Sequence, residues 1–146
     1  MDKYRDRGLK LTPQRIAIFD YLEGNKNHPS AEDIFRAVSR KFPTMSFATV
    51  YNTLSALRDR GRVRELTIDP AKKRYDPDSS EHNHLICDRC RRVVDIEKQF
   101  DLELPARFRK EFTVRANHVE FHGVCPDCRE RTETERAPGS RFSGRT

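Results

Sequence analysis

Four cysteines in two Cys-x-x-Cys pairs, Cys87/Cys90 and Cys125/Cys128, separated by 34 residues, constrain this chain more than any other feature. Such a turn sets two sulfurs about 3.5–4 Å apart, one edge of a tetrahedron with Zn–S bonds of about 2.3 Å. Thiolates suit Zn²⁺, and four protein ligands leave no open coordination position. The pattern therefore predicts a structural staple, not a reaction centre. Two disulfides or a redox-active pair are the competing readings. The chain opens Met1-Asp2-Lys3-Tyr4-Arg5 with no apolar signal segment, which predicts a reducing, cytoplasmic setting and favours thiolate–metal.

A length of 146 residues holds one or two small domains with modest cores. No apolar run reaches the roughly 20 residues of a membrane span, so no membrane partner is expected. Charge is unequal along the chain. Residues 1–76 hold 16 Lys and Arg against 10 Asp and Glu, whereas residues 77–128 hold 8 against 10. The basic first portion predicts a polyanion partner there.

That portion reads as three helices and a hairpin. Thr12 can cap a helix with Pro13 at its first position, and Ile16, Phe19 and Leu22 form an inward stripe ending near Gly24. Ser30 and Asp33 have capping-box spacing before Ile34, Phe35, Ala37 and Val38, in a helix that must stop before Pro43. A third helix is predicted from Ser46 to Gly61, with Val50, Leu54 and Leu57 facing the core. Val63–Ile68, a turn at 69–71 and Lys72–Tyr75 read as two strands of a hairpin with a basic tip. This is the winged-helix plan, whose third helix fits the major groove of DNA. Candidate DNA contacts are Arg15, then Thr49, Tyr51, Asn52, Ser55 and Arg58 on the third helix, and Lys72, Lys73 and Arg74 on the wing. A solvated helix face and an ordinary charged turn are the plainer reading.

The second portion carries a further set of ligand types. His82 and His84 precede the first cysteine pair, and a period of two places both imidazoles on one face of a strand. Val93-Val94-Asp95-Ile96 reads as a strand paired with His84–Cys87; Asp76 ends the wing and His28 sits in the loop before the second helix. Histidines with carboxylates make a mixed N/O site suited to Fe²⁺, Mn²⁺ or Zn²⁺. Two surface histidines beside a zinc ribbon are the plain alternative. His118 and His122 read as packing or surface residues, and the stretch 132–146 as a disordered tail.

His28-Pro-Ser-Ala-Glu-Asp-Ile-Phe35, Phe47-Ala-Thr-Val-Tyr-Asn-Thr-Leu54, His82-x-His84-Leu-Ile-Cys87-x-x-Cys90 and Gly123-Val-Cys125-x-x-Cys128 together resemble the ferric uptake regulator superfamily, over roughly residues 8–130. The resemblance implies an α+β chain: a winged-helix DNA-binding domain at 1–76, then a small α/β dimerisation domain with the Cys₄ zinc at 77–131. It implies a homodimeric, metal-dependent transcriptional repressor on a palindromic operator, and not an enzyme. Its regulatory Fe²⁺ or Mn²⁺ would sit on His28, Asp76, His82, His84 and Asp95. Within the superfamily the set looks most like the peroxide-sensing repressors, of which Asp95 is the distinguishing mark. Glu81, Asn83 and Asn117 stand where iron-responsive relatives carry ligands of a further site. By the same resemblance, iron-catalysed oxidation of His28 or His82 would release the DNA. The alternatives are an iron- or manganese-responsive regulator that senses occupancy, a non-haem iron enzyme, and a zinc-ribbon RNA-binding protein.

Overall fold

The computed structural model describes residues 9–69 and 71–136. Helix α1 (Pro13–Leu22) starts where Thr12 Oγ1 accepts the Arg15 N–H at 3.2 Å and Pro13, lacking an N–H, takes the first turn. Gly24, at φ +68°, turns the chain after it, a left-handed conformation that glycine adopts without Cβ strain. Helix α2 (Ala31–Ser39) has a complete capping box: Ser30 Oγ accepts the Asp33 N–H, and the Asp33 carboxylate accepts the Ser30 N–H at 3.0 Å. Helix α3 (Phe47–Asp59) is capped by Ser46.

These helices close on one apolar core. Ile18, Phe19, Leu22, Ile34, Val38, Val50, Leu54 and Leu57 are all buried, with Tyr75 of the wing beneath them. Full burial of such side chains stabilises by about 1.5–3 kcal/mol each. The wing is β1 (Arg64–Asp69) antiparallel to β2 (Lys72–Asp76), with irregular register between Leu66 and Asp69. Pro70, in the expected turn, lies outside the described residues. Strand β2 also holds the loop before α2: Tyr75 N–H donates to the Pro29 carbonyl at 2.9 Å, and Ser30 bridges to Arg74.

The C-terminal half is a three-stranded sheet in the order β4-β3-β5. Strand β3 (Asn83–Cys87) pairs antiparallel with β4 (Val93–Ile96) and parallel with β5 (Glu120–Gly123). Helix α4 (Ala106–Glu111) buries none of its residues, and α5 (Pro126–Arg136) follows the second cysteine pair. Among the described residues, the buried apolar side chains here are only Ile86, Cys87, Val93 and Cys128. Leu102 and Phe112 are 61% and 63% exposed.

The structure differs from expectation at the tail. Helix α5 continues through Thr132 to Arg136; Thr132 Oγ1 donates to the Cys128 carbonyl at 2.9 Å, and Arg89 donates to both Cys128 and Thr132. These bonds hold the first turns of α5 against the cysteine cluster. The remainder of the expected tail, residues 137–146, lies outside the described residues.

Candidate metal centres

Cys87 and Cys90 lie at the end of β3 and in the tight turn to β4; Cys125 lies just before α5 and Cys128 in its first turn. Parallel pairing of β3 with β5 sets Cys87 opposite Gly123 and brings the two pairs together. All four thiols are free, and their sulfurs lie within 4.8 Å of one another, with Cys90 Sγ and Cys125 Sγ at 3.7 Å. That separation is the edge of a tetrahedron with bonds of about 2.3 Å, so the set fits Zn²⁺. Arg91, at φ +62°, completes the first turn. The Cys125 N–H donates to Cys87 Sγ at 3.4 Å and draws its thiol down to about 6. Hydrogen bonding to Cys125 and burial push Cys128 up to about 12. Four thiols this close cannot all ionise without a cation among them.

The second cluster lies between the two halves. His28 comes from the loop before α2, Asp76 from the end of β2, His82 from just before β3, His84 from the start of β3, and Asp95 from β4 opposite His84. One donor atom from each falls within 4.8 Å of all the others. Asp76 Oδ2 is 2.7 Å from His82 Nε2, 3.2 Å from His84 Nε2 and 3.5 Å from His28 Nε2. Asp95 Oδ1 is 2.8 Å from His28 Nε2 and 3.5 Å from the Nε2 atoms of His82 and His84. Bonds of about 2.0–2.2 Å from one ion to N and O donors place neighbouring donors about 3 Å apart, the spacing found here.

A direct test of fit comes from hydrogen bonding. His28 Nδ1, His28 Nε2 and Asp95 Oδ1 are buried without a hydrogen-bond partner. Such orphans cost about 1–3 kcal/mol each. Two of them face each other at 2.8 Å off any hydrogen-bond line, as two lone pairs aimed at a common cation would. His82 Nδ1 lies 2.9 Å from the Ser80 carbonyl, which only accepts, so that nitrogen carries the hydrogen and Nε2 keeps its lone pair for a metal. The donor set fits Fe²⁺ or Mn²⁺. Burial opposes charging of His28, but the carboxylates of Asp76 and Asp95 outweigh it and raise its pKa above the ordinary value. Burial also opposes ionisation of Asp76, yet the adjacent imidazoles of His28 and His84 and the bond from the Asp78 N–H hold it well below the usual carboxylate range.

His28 has a left-handed backbone, φ +50°. Arg74 holds it there, donating to the His28 carbonyl and, at 2.9 Å, to that of Asn27. The wing arginine is thus a strut of the metal cluster, not a free DNA contact. Of the other candidate DNA contacts, Tyr51, Asn52 and Lys72 are exposed, and Thr49 and Ser55 are half-buried on α3. Arg15 donates to the Lys10 carbonyl at 2.9 Å. Arg58 and Lys73 both bind Glu65, at 2.7 and 3.0 Å. His118, expected to be a packing or surface residue, is about a third exposed and meets His84 at the edge of the metal cluster.

Three helices with a β-hairpin wing, joined through a five-donor cluster to a thiolate-stapled sheet, define a winged-helix protein built around metal ions. Residues 6–122 match the ferric uptake regulator family, and the chain belongs to it. It is similar to the peroxide-responsive repressor PerR of Staphylococcus epidermidis, at 41% identity over 86% of this chain and 85% of the relative. It is also similar to the peroxide operon regulator of Bacillus subtilis, at 40% identity over 88% and 90%. Its fold is that of the ferric uptake regulator of Francisella tularensis solved with iron, with a TM-score of 0.65 at 23% identity over 84% of this chain and 96% of that one. The winged helix and the dimerisation fold of the family are both present.

Proposed function

We propose that this chain is a metal-dependent transcriptional repressor that senses peroxide, acting as a homodimer on a palindromic operator in the reducing interior of the cell. One observation carries the reading: the five-donor cluster draws His28 and Asp76 from the DNA-binding half and His82, His84 and Asp95 from the other. An ion held by all five would fix the angle between the halves. In a dimer that angle sets the distance between two α3 helices, which must match half-sites about 34 Å apart or a multiple of it. Metal and DNA then favour each other's binding reciprocally.

The names of the relatives support peroxide as the signal. Bound Fe²⁺ would supply the reduction of peroxide that oxidises a ligating imidazole, for which His28 and His82 are the candidates; Mn²⁺ would hold the same donors without that chemistry. Oxidation weakens the imidazole as a ligand and frees the halves. A cavity of about 380 Å³ between the halves reaches Asp76 and Asp95, giving small solutes a route to the carboxylate side of the cluster. Exposed Leu102, Phe112 and Val114 supply apolar surface for a second copy.

Operator binding with Mn²⁺ or Fe²⁺, measured by mobility shift before and after peroxide, tests the proposal. The iron-loaded protein should release DNA and gain an oxygen atom on peptides bearing His28 or His82, and the manganese-loaded protein should do neither. Release that tracks only free Fe²⁺, with both peptides unmodified, would replace peroxide sensing with sensing of metal occupancy.

A further inference from the structure

The second nitrogen of each ligating imidazole decides which nitrogen offers the metal its lone pair. His82 settles this locally, through the Ser80 carbonyl. His84 settles it across the sheet. Its Nδ1 lies 3.3 Å from Nε2 of His118, with the two ring centroids 5.0 Å apart. Nδ1 of His118 in turn lies 3.2 Å from the His82 carbonyl oxygen. A carbonyl only accepts, so His118 Nδ1 carries the hydrogen and, in the neutral ring, Nε2 is a bare acceptor. That acceptor suits the Nδ1–H of His84, which leaves the lone pair of His84 at Nε2, the atom 3.2 Å from Asp76 Oδ2. The donors run in one direction, from His84 to His118 to the backbone of His82.

The backbone beside His118 is fixed from the same strand. His84 N–H donates to the Val119 carbonyl at 3.1 Å, and Asn83 Oδ1 accepts the Val119 N–H at 2.9 Å. The other end of the Asn83 amide donates to the Lys98 carbonyl at 2.6 Å. Asn83 is therefore buried as a cross-strand tie, at a position where iron-responsive relatives are expected to place a ligand. The competing partner for His118 Nε2 is Glu120 Oε1, at 3.5 Å, which would need a hydrogen on that nitrogen.

We propose that His118 is a positioning residue of the regulatory metal site, accepting from His84 Nδ1–H and so presenting Nε2 of His84 to the ion. The proposal rests on the five-donor reading of the cluster. Competition with a chelator, on the full zinc-loaded protein, would measure Mn²⁺ affinity in His118→Ala, His118→Gln, Glu120→Gln and His84→Ala. Loss of such a supporting partner costs about 10–100-fold in metal affinity. His118→Ala should show that loss with zinc content unchanged. His118→Gln, whose amide can both accept from His84 and donate to the His82 carbonyl, should stay nearer the parent protein. Glu120→Gln should bind as the parent does. Parental affinity in His118→Ala would overturn the proposal, as would equal losses in the Ala and Gln variants or a matching loss in Glu120→Gln. If His84→Ala also keeps parental affinity, the five-donor reading falls with it; if only His84→Ala is weakened, the site stands and the role of His118 falls.

Discussion

At the scale of single residues, the inter-domain cluster is governed by competition between protons and metal. A histidine must be neutral to ligate, and the raised pKa of His28 means protons compete at higher pH than for an ordinary imidazole of about 6.5. Asp76, held low, stays a carboxylate throughout this range. Mn²⁺ affinity should therefore weaken from roughly pH 8 to pH 6, by about tenfold per unit for each proton displaced. The metal-free protein has the opposite dependence. A raised histidine pKa gives stability that is complete below the unfolded value and lost as pH rises through the folded one. The rise in Tm on adding Mn²⁺ should shrink as pH falls, a trend that calorimetry across that range would check. His28→Ala or Asp95→Ala should abolish most of the Mn²⁺ dependence of operator affinity; unchanged dependence in a mobility shift would contradict the clamp.

At the scale of elements, the wing does two jobs that its sequence reads as one. Lys72, Lys73 and Arg74 look like three equivalent basic residues, but Lys73 is paired with Glu65 and Arg74 holds the His28 loop. Arg74→Ala should weaken Mn²⁺ binding by about tenfold, as loss of an outer support does, while DNA affinity at saturating Mn²⁺ changes little. Titration of metal and DNA separately would show this. Glu65→Gln should free Lys73 and leave Arg58 to Asp59 alone, 3.1 Å away, raising affinity for any duplex and steepening its salt dependence, by a slope of about 0.9 for each phosphate gained. The helices and wing were legible because capping residues and apolar periodicity are local signals, as at Thr12, Ser30 and Ser46. Strand β5 and helix α4 were not. β5 joins the sheet by parallel pairing with a strand 36 residues earlier, His84 opposite Glu120, and α4 buries no face that could imprint a period. His118 was hidden for the same reason, since nothing local announces its meeting with His84.

At the scale of the whole molecule, stability is unevenly shared. The helical half has a full apolar core, whereas the sheet half buries few apolar side chains and, in the proposed dimer, would draw on its thiolate cluster and on a second copy. Removing zinc with a strong chelator, or replacing Cys90 with Ser, should unfold the sheet half while leaving most of the helical signal in circular dichroism. Phe112→Glu should shift the protein toward monomer in sedimentation. Strand β2 links these levels. Five residues long, it carries Lys72 at its solvent tip and Asp76 at the cation cluster, roughly 13 Å apart at the usual rise of a strand. A phosphate seized at one end and an ion gripped at the other would pull on a single stiff rod. Tension from the double helix would thus reach the sensor along the strand that seats Tyr75 in the apolar core, and a nick or bend in the operator would be felt at the ion.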